Sequence, residues 1–309
     1  MMKLEPRFLR GSYPPLVTPF RHGAVDHEAL ARLVARQVHE GSHGILACGT
    51  TAEATSLSTA ERNDVVRTAV RAAAGRVPVV AGAGAASYEE SVALVEGAER
   101  AGADAVLVVT PFYVKPPQAG LVEYFAAVGQ RTKLPLLIYH IPGRAAVAVT
   151  AETVARIADR LPSLVGIKHA APDVDLVTEL RLRLGPEFRT FAGLETLSLP
   201  MLAVGAVGVM SAVGNLVPAR VAAMCRAVAE GALADAQRLH LELFELSQAI
   251  FLDTNPIALK YMMSRLGLLD GAEVRLPLVG LDAERQARAD KVLERAGLLG
   301  AAAAAKGVA

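Results

Sequence analysis

A chain of 309 residues is long for one small domain and suits one α/β barrel, which takes about 250 residues. Hydrophobic residues make up 52% of it and charged residues 20%, which excludes a disordered chain and supplies a large core. The net charge is +1, aromatics are 5% and tryptophan is absent, so neither non-specific nucleic-acid or membrane binding nor a base-stacking surface is expected.

Residues 1–13 carry charges throughout and no apolar run, so no secretory signal is expected and the cytoplasm is the expected location. Short runs rich in Val, Ile and Leu then recur at 12–17, 44–48, 77–81, 105–109, 135–139, 164–168, 188–192 and 208–212. They alternate with amphipathic segments of helix length, at the roughly 30-residue spacing of a strand-plus-helix unit. Fully apolar strands belong in a parallel sheet covered on both faces. Eight such units in a row predict an α/β fold, a (β/α)8 TIM barrel.

The helix starts agree. Ser58 with Glu61, and Ser87 with Glu90, read as capping boxes. Asp26 is placed to cap the first helix and Thr150 the fifth. Gly75, Gly102 and Gly185 stand where helices should stop. Cys48 and Cys225 lie far apart in apolar surroundings and read as core residues rather than a disulfide. Residues 196–219 carry no charge over a length that can span a bilayer. Pro200, Gly205, Gly208, Gly214 and Asn215 interrupt them, so a buried helix and a buried strand are expected, not a membrane span. The barrel is expected to fill residues 1–231. Residues 232–299 are helical in pattern, with no strand run, and form a C-terminal helical extension packed on the barrel or between subunits. The low-complexity tail 300–309 is expected to fray.

Barrels of this kind carry their chemistry at the C-terminal ends of the strands. Those ends supply Thr50, Thr51 and Glu53, then Tyr113, then Tyr139, His140 and Arg144, then Lys168 and His169, then Gly193 and Glu195. Lys168 ends an apolar strand, where burial favours the uncharged amine. Such an amine can attack a ketone and form a Schiff base. The alternative is a lysine that snorkels from the strand end to solvent. Tyr139 ends the neighbouring strand and can relay protons beside such an imine, or serve only as a core tyrosine. Thr50 and Thr51 offer hydroxyls and backbone N–H groups in a Gly-led turn, for a carboxylate, for proton transfer, or as an ordinary cap. The Arg144 fork can bind a carboxylate or form a surface ion pair.

Taken together these residues resemble the dihydrodipicolinate synthase/N-acetylneuraminate lyase family. The matching pieces are Gly49-Thr50-Thr51-x-Glu53, Tyr139-x-x-Pro142-x-Arg144 and Gly166-Ile167-Lys168, in that order. Val17-Thr18-Pro19-Phe20, Thr110-Pro111-Phe112-Tyr113-x-Lys115-Pro116 and Asp253-Thr254-Asn255-Pro256 extend the likeness over nearly the whole chain. The resemblance implies that Lys168 condenses with pyruvate, or with a 2-oxo acid that yields it, and that Tyr139 moves protons to and from the imine. Thr50 would connect Tyr139 to a Tyr113 reaching in from a neighbouring subunit. Thr51 and the backbone near Thr50 would hold the pyruvate carboxylate. Arg144 would hold the carboxylate of a small aldehyde or shape the entrance, and the backbones of Gly193 and Met210 would line the pocket. It implies a homo-oligomer, a tetramer or dimer of dimers, and neither metal nor organic cofactor. The expected reaction joins pyruvate to aspartate semialdehyde. Alternatives in the family are an aldolase of 2,4-dihydroxyhept-2-ene-1,7-dioate and an aldolase or dehydratase of a 2-oxo-3-deoxy sugar acid.

The departures from the family pattern are Ala52 for a glycine, His140 for an asparagine, His169 for a glutamate, Ala145-Ala146 after Arg144, and Leu194-Glu195 after Gly193. They surround the second-substrate position and spare the Schiff-base residues. His140 and His169 raise the rival of a metal-dependent aldolase. Strand parity opposes it, because these two side chains point away from Tyr139 and Lys168. The glycines Gly82 and Gly84 are expected to allow tight turns beside the pocket rather than to bind phosphate. A non-catalytic barrel that senses a small acid would lack one of Lys168, Tyr139 or Thr50, and all three are present.

Overall fold

The computed structural model describes residues 2–299. Eight parallel strands run through it: β1 (Gly11–Ser12), β2 (Ile45–Ala47), β3 (Val79–Gly82), β4 (Ala105–Val109), β5 (Leu136–His140), β6 (Leu164–His169), β7 (Arg189–Ala192) and β8 (Gly208–Val209). From β2 to β8 each strand pairs with the next in the chain, and β8 pairs with β1. The ring closes just beyond β1. There Leu46 N–H donates to Pro14 O at 3.0 Å and Leu16 N–H to Leu46 O at 2.9 Å, around a bridge between Pro15 and Leu46. The fold is a (β/α)8 barrel, as the sequence pattern predicts.

The strands differ from expectation at the first and last positions. β1 is shorter than the run 12–17 because Pro14 and Pro15 have no N–H to give a ladder. β8 stops early because the chain turns into a short 3-10 segment, Ala212–Asn215. A two-stranded ribbon before the first helix, Phe20–Arg21 against Ala24–Val25, was not anticipated. His22 and Gly23 form its turn, both with positive φ (51° and 79°), as a type I′ hairpin requires.

Helices alternate with the strands: α1 (His27–His39), α2 (Thr59–Ala73), α3 (Tyr88–Arg100), α4 (Gln118–Gly129), α5 (Ala151–Arg160), α6 (Asp175–Leu184), α7 (Ser198–Ala203) and α8 (Pro218–Ala229). Asp26 caps α1 and Thr150 caps α5. Ser58 and Glu61 form the full capping box on α2. On α3 only half forms: Ser87 accepts from the Glu90 N–H. Glu90 instead faces the cavity described below. The charge-free stretch 196–219 folds into α7, β8 and the start of α8, and among the described residues no helix is long and apolar enough to cross a membrane.

Alternation along each strand builds two apolar layers. Leu46, Val80, Leu107, Leu137 and Phe191 fill the barrel interior. Their neighbours Ile45, Val79, Val106 and Ile138 pack outward against the helices. In β6 a bulge adjusts this rhythm, since Leu136 pairs with Leu164 but Leu137 with Gly166. Val165 thus joins the interior layer and Ile167 the outer one. Lys168, next in line, points into the barrel.

After α8 come three further helices, α9 (Leu233–Ala249), α10 (Ile257–Arg265) and α11 (Ala283–Arg295). They bury Leu243, Leu246, Met262 and Leu293 with Met224 of α8 in one apolar cluster. The expected frayed tail 300–309 lies outside the described residues.

Candidate active site

The register of β5 and β6 sets Tyr139 directly beside Lys168. Lys168 is 4% exposed, and its Nζ stands 4.4 Å from the centre of the Tyr139 ring. The Tyr139 hydroxyl is 3.1 Å from Thr50 Oγ1, at the mouth of β2. Three residues from three strand ends therefore form one chain: amine, phenol, hydroxyl.

That chain borders a cavity of about 520 Å³ at the C-terminal end of the barrel. Tyr139 and Thr50 are on its wall, with Gly49, Glu53, Arg62, Glu90, Val109 and Phe112. Lys168, level with Tyr139 in the strand register, lies against the Tyr139 ring inside the barrel. Arg144 stands at the rim, exposed, on the single helical turn Pro142–Ala145 that follows β5. Pro142 at the first position of that turn fixes its start.

Gly193 lies beside Lys168, and Met210 lies inside the barrel. A Cβ on Gly193 would come within 3.1 Å of Lys168 Cε and 2.8 Å of Ala170 Cβ, so glycine there leaves room for the lysine stem. Met210 is buried in the interior layer, its N–H donating to Ala192 O at 2.8 Å. Thr51 is also buried, and its hydroxyl accepts from Asn255 Nδ2 at 2.9 Å, which leaves the hydroxyl proton to donate. Tyr113 is the outlier. It is 90% exposed with φ of 74°, and it is not on the wall of this chain's cavity.

The loop carrying Thr50 and Thr51 is held tightly. Cys48 and Glu53, on either side, both adopt left-handed backbone (φ 54° each). Ala52 lies between them in the 3-10 turn Thr50–Ala52, without positive φ, so its Cβ meets no backbone strain there. Cys48 and Cys225 are both buried and free, and burial pushes the Cys48 thiol up to about 11. Gly82 and Gly84 serve close packing rather than a turn. A Cβ on Gly82 would meet Cys48 O at 2.1 Å, and one on Gly84 would meet Val109 N at 2.5 Å.

The C-terminal helices contribute residues that strand patterns did not expose. Besides Asn255, Lys260 of α10 places Nζ 2.5 Å from Glu53 Oε1, with both side chains sealed from solvent. Glu53 Oε2 accepts from the Arg275 N–H at 2.9 Å, and Lys260 Nζ donates to Glu273 O at 2.8 Å. Lys260 is a lone charge in the apolar run 256–263, the one sign in the sequence that it needs a partner. Behind Lys168, Glu195 is buried; one oxygen accepts from the Ala212 N–H at 2.6 Å, and burial pushes its carboxyl up. Among the described residues no group of three or more His, Cys, Asp or Glu side chains is placed to hold a metal.

Residues 8–296 match the model of the dihydrodipicolinate synthetase family. The chain belongs to that family. The 4-hydroxy-tetrahydrodipicolinate synthase of Thermus thermophilus is 45% identical over 291 residues, covering 94% of this chain and 97% of that one. The crystal structure of dihydrodipicolinate synthase from Aquifex aeolicus superposes with a TM-score of 0.91 at 39% identity, covering 94% of this chain and 98% of that one. A monomeric dihydrodipicolinate synthase variant is similar to the same degree, with a TM-score of 0.91 at 36% identity, covering 95% and 98%. Like these family members, the chain is a lyase-type synthase.

Proposed function

We propose that the enzyme joins pyruvate to aspartate semialdehyde through an imine on Lys168. The observation that carries this is the Lys168 amine held against the Tyr139 ring, with Thr50 next in line. The amine adds to the pyruvate ketone carbon, and the resulting carbinolamine loses water to give an iminium. The iminium draws electrons from the adjacent carbon, so the methyl group loses a proton and becomes the enamine carbon. That carbon attacks the aldehyde. The aldehyde oxygen takes up a proton and becomes a hydroxyl, the amino group of the semialdehyde adds to the imine carbon, and that carbon expels the Lys168 nitrogen, which restores the free amine. Tyr139 supplies and recovers the protons on oxygen, passing them to Thr50. Tyr113, exposed on its own subunit, would extend that path from a second copy of the chain in a homo-oligomer. The N–H groups and hydroxyls of Thr50 and Thr51 suit the pyruvate carboxylate, and Gly193 and Met210 bound the space around the imine. Arg144 at the rim suits the carboxylate of the aldehyde.

The test is a condensation assay with pyruvate and a panel of small aldehydes. Aspartate semialdehyde is expected to give the highest kcat/KM, and an uncharged aldehyde turned over equally well would contradict the reading of Arg144. Two substitutions sharpen it. Tyr139→Phe keeps the ring beside Lys168 and removes the hydroxyl, so kcat is expected to fall about 10²- to 10³-fold, the scale of a lost acid–base group. Arg144→Ala is expected to raise KM for the semialdehyde by roughly 10- to 100-fold, as a lost charge-assisted bond does, and to leave KM for pyruvate within about twofold. Steady-state kinetics with each substrate varied in turn separates the two effects.

A further inference from the structure

His140 and His169 take no part in the chemistry above, yet each directly follows one of its central residues. They pair across β5 and β6 just beyond the Tyr139–Lys168 pair. By strand alternation they lie on the outer face of the barrel, under the helices. Both are buried, with His140 3% exposed. Their rings are nearly parallel, 13° apart, with the two Nδ1 atoms 2.9 Å from each other. His169 Nε2 is 2.6 Å from Asp173 O, in the turn after β6.

These contacts fix where the protons are. A carbonyl oxygen only accepts, so His169 Nε2 carries a hydrogen. A neutral His169 then has a bare Nδ1, and the close Nδ1 pair needs one hydrogen between them. His140 must provide it. His140 is thus the Nδ1–H tautomer, donating to His169, which donates to Asp173. A further proton on His169 would set two N–H groups head to head. A further proton on His140 Nε2 would leave a buried cation whose new N–H has no acceptor, since that atom has no partner. Burial, then the neighbouring imidazole, pushes His140 down to about 4; burial lowers His169 as well, although Asp173 pulls it up.

We infer that this neutral, one-directional histidine pair is a positioning device for the Schiff-base residues. It ties the outer edges of β5 and β6 at the two residues adjoining Tyr139 and Lys168. Through Asp173 it also fixes the turn 170–173, whose first residue donates N–H to His140 O at 2.8 Å and whose Cβ packs at Gly193 beside the lysine stem. Loosening the pair lets the amine and the phenol shift relative to each other, and a shift on the order of 1 Å costs up to about 10²-fold in rate.

This inference rests on the Lys168 imine reading, and the experiment separates the two. Nitrogen-15 spectra of the histidine-labelled wild-type enzyme at neutral pH report the tautomers without any substitution. His140 is expected to be protonated on Nδ1 alone and His169 on Nε2 alone; a cationic ring, or His140 protonated on Nε2, overturns the assignment. Next, kcat is measured per active site, counted as Lys168 that borohydride traps with pyruvate. His140→Leu, which removes the donor, is expected to lose about tenfold in kcat with KM for pyruvate within about twofold. His140→Asn, whose amide can still donate to His169 Nδ1, is expected to recover most of that loss. An unchanged kcat per trapped lysine in His140→Leu, or no recovery in His140→Asn, overturns the positioning role. If the wild-type enzyme traps no pyruvate at all, the imine reading fails instead, and the tautomers stand as a structural feature alone.

Discussion

Lys168→Arg is expected to lower turnover by about 10³-fold or more, and to abolish any covalent adduct with pyruvate. Arginine keeps a positive charge on a long stem but cannot form an imine with a ketone. A purely electrostatic role for Lys168 would survive the change, and a covalent role would not. The larger guanidinium must fit a site where Lys168 packs against Tyr139 and close to Gly193, so Lys168→Ala serves as a second variant that adds no bulk. Both are expected to lose activity while melting cooperatively. Activity in either within about tenfold of wild type would contradict nucleophilic catalysis by this lysine.

The second large effect concerns stability and lies in the Glu53–Lys260 pair. The two charges touch with both side chains sealed from water. Burial pushes the Lys260 ammonium down, and Glu53 opposes that push. Removing one partner leaves the other charge buried and unmatched, which costs about 3–5 kcal/mol. Glu53→Gln and Lys260→Met are each expected to destabilise by that amount in urea unfolding. The double variant is expected to cost clearly less than the sum, because it leaves no stranded charge. Full additivity, or single losses under about 1 kcal/mol, would show that the pair is not what holds these elements together. The pair also reaches the candidate site. Glu53 ends the loop that carries Thr50 and Thr51, and Lys260 belongs to the C-terminal helices. The extension therefore braces the turn that borders the cavity, with Asn255 on Thr51 as a second brace.

The barrel was legible because its signals are local. Most strands lie within short apolar runs, and most barrel helices have a side-chain cap or a glycine stop, with α4 an exception. Lys168 stood out because a charge ends an apolar strand, and Tyr139 because the preceding strand ends at the same level. The same period of two placed His140 and His169 on the outer face. It did not show them bonded to each other, since that depends on ring rotation and on the turn at Asp173. The bracing contacts were hidden for a different reason. Thr51 and Asn255 meet across 204 positions, and no local pattern encodes such a pairing. The hairpin at His22-Gly23 was missed because its strands are only two residues long. Tyr113 shows the remaining boundary. The resemblance implies it for the site, yet it is 90% exposed and off the wall of this chain's cavity, so the role proposed for it would require a second copy of the chain.

The most direct test of the central claim is borohydride reduction of the enzyme with pyruvate, followed by intact mass measurement and peptide mapping. The account predicts one reduced pyruvate adduct per chain, on the peptide containing Lys168, and none in Lys168→Arg. An adduct on another lysine, or condensation activity with no trappable adduct, would contradict it.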